Sequence, residues 1–362
     1  MTHDFRDAAF SQIHAIMRAD PNVLVLTNDM GAMGLDLIAK EFPERVINVG
    51  IAEQNTVSVA AGLAISGKTV FVYGIIAHIV FRAFEQIRVD VCLHNLPVII
   101  LGVGAGLSYG SDGPTHHGTE DMAAMLSLPN MVVFNPSDVE LVSQSVEMAY
   151  WDREPAYIRL DKEPQAPLAF TARSTGSNPR ILREGKDLTI FTTGNMVKVA
   201  LAAAATMENE GPSVSVVDVW KFSAAMVLEV MAILRESRTA LVLEENSAPG
   251  VLSAIIDRGV SLLMLSRRAG SLCLDEEISF GATTRAFGHK RSGLMPEDIV
   301  YKVRALTGWK PPIEKKEVVD LASLLRDRLE NQAGYEATAQ AVLEYFEGRD
   351  CAKRTPDLES VR

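Results

Sequence analysis

Short apolar runs alternate with segments of helical period along most of this chain, and that rhythm constrains its fold more than any other feature. Residues 23–26, 46–49, 69–73, 97–102, 131–134 and 156–160 are strand-length and rich in Val, Ile, Leu and Phe, without a regular polar face. Between them, residues 5–17, 35–42, 81–92 and 137–150 repeat apolar side chains at helical spacing, and a further helix starts near Glu53. A strand with no polar face is buried on both sides, as in parallel sheets covered by helices. The expected fold is α/β, with two doubly wound, mostly parallel-sheet domains.

The second domain follows a break in the pattern. Residues 162–179 carry Pro164, Pro167 and Pro179 with Thr, Ser and Gly and no apolar period, so 163–180 reads as a linker after a first domain of 1–162. A new series then begins, with strands expected at 188–192, 214–219 and 239–243 and helices at 197–208, 224–235 and from about 250, making a domain of 181–310. Residues 311–362 turn to charged clusters such as Glu314-Lys-Lys-Glu317, with Val318, Leu321 and Leu325 at helical spacing, which suits a helical tail used in packing or assembly.

At 362 residues and 48% hydrophobic, the chain is long enough to bury two such cores. Its net charge of −11 offers no basic stripe to nucleic acid or to an anionic membrane, so neither is an expected partner. Cys92, Cys273 and Cys351 are far apart and odd in number, which argues against a disulfide framework or a Cys-x-x-Cys metal site and fits reduced thiols. With no leader-like N-terminus and no apolar run of membrane-spanning length, a cytoplasmic location is expected.

Residues 48–66 form the densest chemical feature. Gly50 closes a strand end, Glu53 falls in the first turn of the next helix, and Ala60, Ala61, Gly62 and Ala64 give that helix a face another backbone can approach. A carboxylate at a helix start is ordinary by itself, because the helix dipole favours it there. Three other stretches stand with it: Arg82-Ala-Phe-Glu-Gln-Ile-Arg88, Ser111-Asp-Gly-Pro-Thr-His116 and Pro129-Asn-Met-Val-Val-Phe-Asn-Pro-Ser-Asp138. Together with Val49-Gly-Ile-Ala-Glu-Gln-Asn55 they resemble the pyrimidine-binding domain of thiamine-diphosphate enzymes, in particular the C-terminal half of transketolases and deoxyxylulose-phosphate synthases. The resemblance covers roughly residues 4–310.

That resemblance implies a role for each matching residue. Glu53 matches the glutamate that holds N1′ of the cofactor's aminopyrimidine and promotes loss of the thiazolium C2 proton. Asp29 matches an aspartate near the thiazolium, placed to stabilise positive charge. Asp112 matches an aspartate that contacts a donor-sugar hydroxyl, and His116 a histidine that hydrogen-bonds the substrate oxygen beside the bond made or broken. Arg159 and Arg6 match arginines that bind substrate phosphate, a task suited to the paired donors of guanidinium. The aromatic residues that stack on the aminopyrimidine fall here on Ile76 and Ile79, so aliphatic contact with the cofactor is expected instead.

Further departures bear on substrate and assembly. Gly104 stands where a transketolase has a histidine, and Met33 where the phosphate pocket has a serine, so two donors for a sugar phosphate are absent. The family binds the cofactor's diphosphate through Mg²⁺ with a Gly-Asp-Gly motif in a separate N-terminal domain. The one Asp-Gly pair here, Asp112-Gly113, follows Ser111 and belongs to the substrate loop. The Mg²⁺ ligands are therefore expected on an N-terminal transketolase-like partner subunit, in an α2β2 heterotetramer. The implied reaction moves a two-carbon ketol unit between small keto or sugar substrates through thiamine diphosphate. A decarboxylating carboligase of the deoxyxylulose-phosphate-synthase type and a non-catalytic partner subunit are the alternatives. Asn95-Leu-Pro-Val98 and Gly104-Ala-Gly106 lean toward the first, and the altered stacking positions toward the second.

Overall fold

A computed structural model of the chain describes residues 4–163, 168, 179–208, 211–248, 250–265, 269–275 and 284–309. The first domain carries α1 (Phe5–Ala19), β1 (Val23–Thr27), α2 (Met33–Glu41), β2 (Val46–Asn48), α3 (Glu53–Ile65), β3 (Thr69–Ile75), α4 (Ile76–Arg82), α5 (Phe84–Gln86), β4 (Val98–Val103), α6 (Asp121–Leu126), β5 (Val132–Phe134), α7 (Val139–Asp152) and β6 (Ala156–Leu160). The second carries β7 (Arg180–Arg183), β8 (Leu188–Thr192), α8 (Met196–Thr206), β9 (Val214–Asp218), β10 (Lys221–Phe222), α9 (Ala224–Glu236), β11 (Ala240–Ser247), α10 (Leu252–Leu262), β12 (Ala269–Leu274), α11 (Arg285–Arg291) and α12 (Pro296–Thr307). Most of the linker, and the helical tail expected at 311–362, lie outside the described residues.

The apolar runs become strands because both of their faces are covered. β1, β4, β6, β8 and β9 are buried at every residue. Strand order is β10-β5-β6-β4-β3-β1-β2 in the first sheet and β12-β11-β8-β9-β7 in the second. Pairing is parallel except at two edges, where β10 joins β5 and β7 joins β9 antiparallel. β10 comes from second-domain sequence, so its pairs Lys221 with Phe134 and Phe222 with Val133 add a ladder between the domains to the chain connection.

One helix departs from its expected span. In place of a helix over 81–92, α4 starts at Ile76 and ends at Arg82, and after the short α5 a π-helical turn runs Ile87–Cys92. Strand β3 passes into α4 with no turn residue between Ile75 and Ile76, so no breaker marks the start. The early start lays Ile76, Ile79 and Val80 onto the core. Among the described residues, no helix is long and apolar enough to cross a membrane.

Cys92 ends the π turn fully buried, and desolvation pushes its thiol up to about 12. Titration with an aromatic disulfide at pH 8 is expected to leave Cys92 unmodified until the chain is denatured, and Cys92→Ala should remove that slow thiol alone. Rapid modification of Cys92 in native buffer would show that this turn opens.

Candidate active site

In a parallel sheet the C-terminal strand ends and the segments that follow share one edge, and ligands bind outside that edge where the strand order reverses. β1 lies between β2 and β3, which places the reversal at its end. Asp29 follows β1, Glu53 opens the helix after β2, His78 stands in the first turn of α4 after β3, residues 104–118 follow β4, and Lys162 follows β6. Segments far apart in sequence thus supply one edge.

Glu53 is the first residue of α3 and only 6% exposed. Its Oε1 accepts a hydrogen bond from Nη1 of Arg82 at 3.0 Å, while Oε2 has no partner among the described residues and can accept from a ligand. His78 packs against the 104–118 loop, its ring edge-on to His116 with centroids 5.0 Å apart. Burial, and then the neighbouring Arg82 and His116, hold its pKa below the usual histidine value, which favours the neutral ring. Asp29 is exposed at a left-handed φ of 56°. Its N–H donates to Asn48 Oδ1 at 3.0 Å, and Asn48 Nδ2 donates back to its Oδ1 at 3.1 Å.

Residues 104–118 coil through two 3-10 turns, Gly110–Asp112 and Pro114–His116. Gly106 and Gly118 exchange backbone hydrogen bonds of 2.8 and 3.1 Å that close the stem. At Gly104, with φ +107°, a Cβ would overlap the Tyr109 ring, so a side chain at 104 and the present place of Tyr109 exclude each other. Tyr109 lies 5.8 Å from the His116 ring and carries the Lys162 ammonium 3.9 Å from its own centroid. Lys162 Nζ also donates to Asp112 Oδ2 at 3.4 Å. Desolvation opposes ionisation of Asp112, but Lys162 and the Ser111 hydroxyl outweigh it and hold the carboxyl below its ordinary pKa. The Thr115 hydroxyl sits 2.9 Å from His116 Nδ1, which leaves Nε2 without a partner among the described residues. Arg6 reaches the electrostatic neighbourhood of Tyr109, although its Nε and Nη2 are engaged by Asp4 at 3.0 and 2.5 Å.

Arg159 does not join this group. It lies within β6, between β4 and β5, and is 3% exposed. Its Nε and Nη2 donate to the two oxygens of Asp121 at 3.0 and 3.1 Å, and Nη2 also donates to the Gly118 carbonyl. The phosphate contact expected at Arg159 is corrected accordingly: this guanidinium is a buried tie between β6 and the end of the 104–118 loop. The cation beside Asp112 is Lys162, which none of the sequence motifs singles out. It is the first cation beyond the last apolar residue of the strand, and that position is the available signal. Ile76 and Ile79 are both 0% exposed, with Ile76 wedged against Gly102 and Gly118. They present no surface to a ligand, so the expected aliphatic contact with a cofactor is corrected as well.

Comparison with known proteins defines the class. A model of the transketolase pyrimidine-binding domain matches residues 2–165, and one of the transketolase C-terminal domain matches residues 178–284. The chain belongs to the transketolase family, whose members depend on thiamine diphosphate. Within that family its likeness is to C-terminal components. It is 31% identical over 277 residues to one subunit of the apulose-4-phosphate transketolase of Phocaeicola vulgatus, spanning 76% of this chain and 88% of that one. To 1-deoxy-D-xylulose-5-phosphate synthase of Syntrophus aciditrophicus it is 35% identical over 246 residues, 67% of this chain but only 37% of the synthase. A solved split gene transketolase, described as an inactive β4 tetramer, matches with a TM-score of 0.73 at 30% identity, over 85% of this chain and all of that one.

Removing one partner of a buried ion pair costs about 3–5 kcal/mol, whereas an exposed pair contributes about 1 kcal/mol or less. In thermal unfolding of the full chain, Arg159→Ala is expected to lower Tm by many degrees and Lys162→Ala hardly at all. Equal shifts would refute the separate roles of these two cations.

Proposed function

We propose that this chain is the C-terminal subunit of a two-subunit enzyme that transfers a two-carbon ketol unit between small keto or sugar substrates with thiamine diphosphate. The placement of Glu53 carries the proposal: a buried carboxylate with one oxygen held by Arg82 and the other open, on the sheet edge that also bears His116, Asp112 and Lys162. An aminopyrimidine nitrogen that gains and loses a proton fits such an acceptor. When bound, thiamine diphosphate would supply an acidic thiazolium C2 that, once deprotonated, can add to a ketone.

Each side chain then has a defined task. Glu53 holds the aminopyrimidine nitrogen and exchanges a proton with it. His116, its Nδ1 turned to Thr115, offers Nε2 to the substrate oxygen at the reacting carbon, and the edge-on His78 ring braces it. Asp112 accepts from a substrate hydroxyl. Lys162, with Arg6 beyond Tyr109, meets an anionic group such as a phosphate. Asp29 stabilises positive charge on the cofactor's ring.

Mg²⁺ and the diphosphate are assigned to an N-terminal subunit in an α2β2 assembly. Support comes from the chain's one Asp-Gly pair lying in the substrate loop, from a relative that is itself one subunit of a transketolase, and from the split-gene neighbour. The 35% identity to a deoxyxylulose-phosphate synthase favours a second reading, a decarboxylating carboligase. Product analysis with pyruvate against a ketose donor separates the two.

In the complex with its partner, Glu53→Gln is expected to cut turnover ~10²-fold or more while gel filtration shows unchanged assembly. Full activity in that variant would reduce Glu53 to an ordinary helix-start carboxylate.

Lys162→Ala tests the anion site. Losing a charged hydrogen bond of about 1.5–3 kcal/mol should lower kcat/KM for a phosphorylated acceptor roughly 10- to 150-fold and spare an unphosphorylated one. A uniform loss across both acceptors would exclude Lys162 as the anion contact.

A further inference from the structure

The opposite stem of the substrate loop is tied from the second domain. Arg285, in the first turn of α11, is 6% exposed and spreads its guanidinium over both domains. Nη1 donates to Asp161 Oδ2 at 2.7 Å and to Glu163 Oε2 at 3.2 Å, the two residues that flank Lys162. Nη2 reaches the Ala105 carbonyl at 3.5 Å, where the loop leaves β4. On the second-domain side, Nε and Nη2 donate to the two oxygens of Glu245 on β11 at 2.8 and 2.5 Å. His289 Nε2 lies 2.6 Å from Glu245 Oε1 and secures that carboxylate from the same helix as Arg285. Glu245 in turn lies over Gly106, whose φ is +58°. A Cβ there would overlap Glu245 Oε2, so the loop is seated against this cluster.

We infer that Arg285 is a positioning residue: through Asp161, Glu163 and Ala105 it sets where Lys162 and the Asp112/His116 loop stand, so that the second domain tunes substrate binding. This rests on the function proposed above. The geometry supplies the mechanism. Lys162 sits between two carboxylates bound to one guanidinium nitrogen, so its backbone is anchored to Arg285 on both sides. Its ammonium must also be aimed, because it meets Asp112 and the Tyr109 ring at once. A planar fork fixes the directions of its acceptors, whereas a lysine at the same place keeps the charge and loses the directions.

The test uses Arg285→Lys and Glu163→Gln in the full chain assembled with its N-terminal partner. Arg285→Lys is expected to raise KM for an anionic acceptor ~5- to 20-fold and to lower kcat by less than that, and Glu163→Gln to shift KM less in the same direction. Hydrogen exchange read by mass spectrometry should quicken at 104–118 and 160–163 in both variants and stay unchanged in α3 and β3. Exchange does not depend on turnover, so a wild-type complex without ketol transfer would sink the proposed function and leave exchange to decide on Arg285. Unaltered exchange in those segments, or a lower Tm with unchanged KM, would make Arg285 a domain staple and overturn the inference. If Arg285→Lys does not fold, Glu163→Gln, at a half-exposed carboxylate, decides by the same measurements.

Discussion

Two buried guanidinium groups, one at each stem, hold the loop that carries Asp112 and His116. Arg159 binds the Gly118 carbonyl and Asp121 at one end, and Arg285 binds the Ala105 carbonyl with Asp161 and Glu163 at the other. The loop needs both, since Gly104, Gly106, Gly110, Gly113 and Gly118 give it more conformational entropy to lose on folding than most segments of its length. Buried ion pairs seldom add net stability over a well-packed apolar equivalent. What these pairs supply is direction, because each planar fork admits its acceptors at only a few angles. On the proposed function, a loop that aims an imidazole and a carboxylate at one substrate gains from that restriction.

Most of the fold was legible in the sequence because strands buried on both faces have to be apolar throughout. The runs at 156–160 and 188–192 coincide with β6 and β8. The start of α4 was hidden for the opposite reason: Ile75 and Ile76 are chemically alike, yet one ends a strand and the other begins a helix. For Ile76 and Ile79, counting along the chain located the positions but could not say which way they face, and both point into the core. Arg159 and Lys162 differ by three places, and only the register of β6 beside β4 shows that the first is interior and the second terminal. Arg285 was illegible altogether. Its first-domain acceptors Asp161 and Ala105 are 124 and 180 residues away in sequence, and the local stretch Thr284-Arg285-Ala286 reads as an ordinary capped helix start.

On the proposed function, the Glu53–Arg82 pair is where a partner subunit would act on the chemistry. Arg82 is half exposed while its partner is buried, so water screens the pair from one side. Ile51, two residues before Glu53, and Phe81, the residue before Arg82, are exposed too, at 75% and 41%. Exposed apolar side chains so near a buried carboxylate in sequence are what a covering subunit would bury. Covering them would also take Arg82 out of water, where its attraction for Glu53 Oε1 strengthens as the local dielectric falls. Oε1 would then be committed to Arg82 and Oε2 left as the acceptor for the ligand. On the proposed function, assembly therefore does more than deliver Mg²⁺ and a diphosphate pocket: it settles which oxygen of Glu53 does the work.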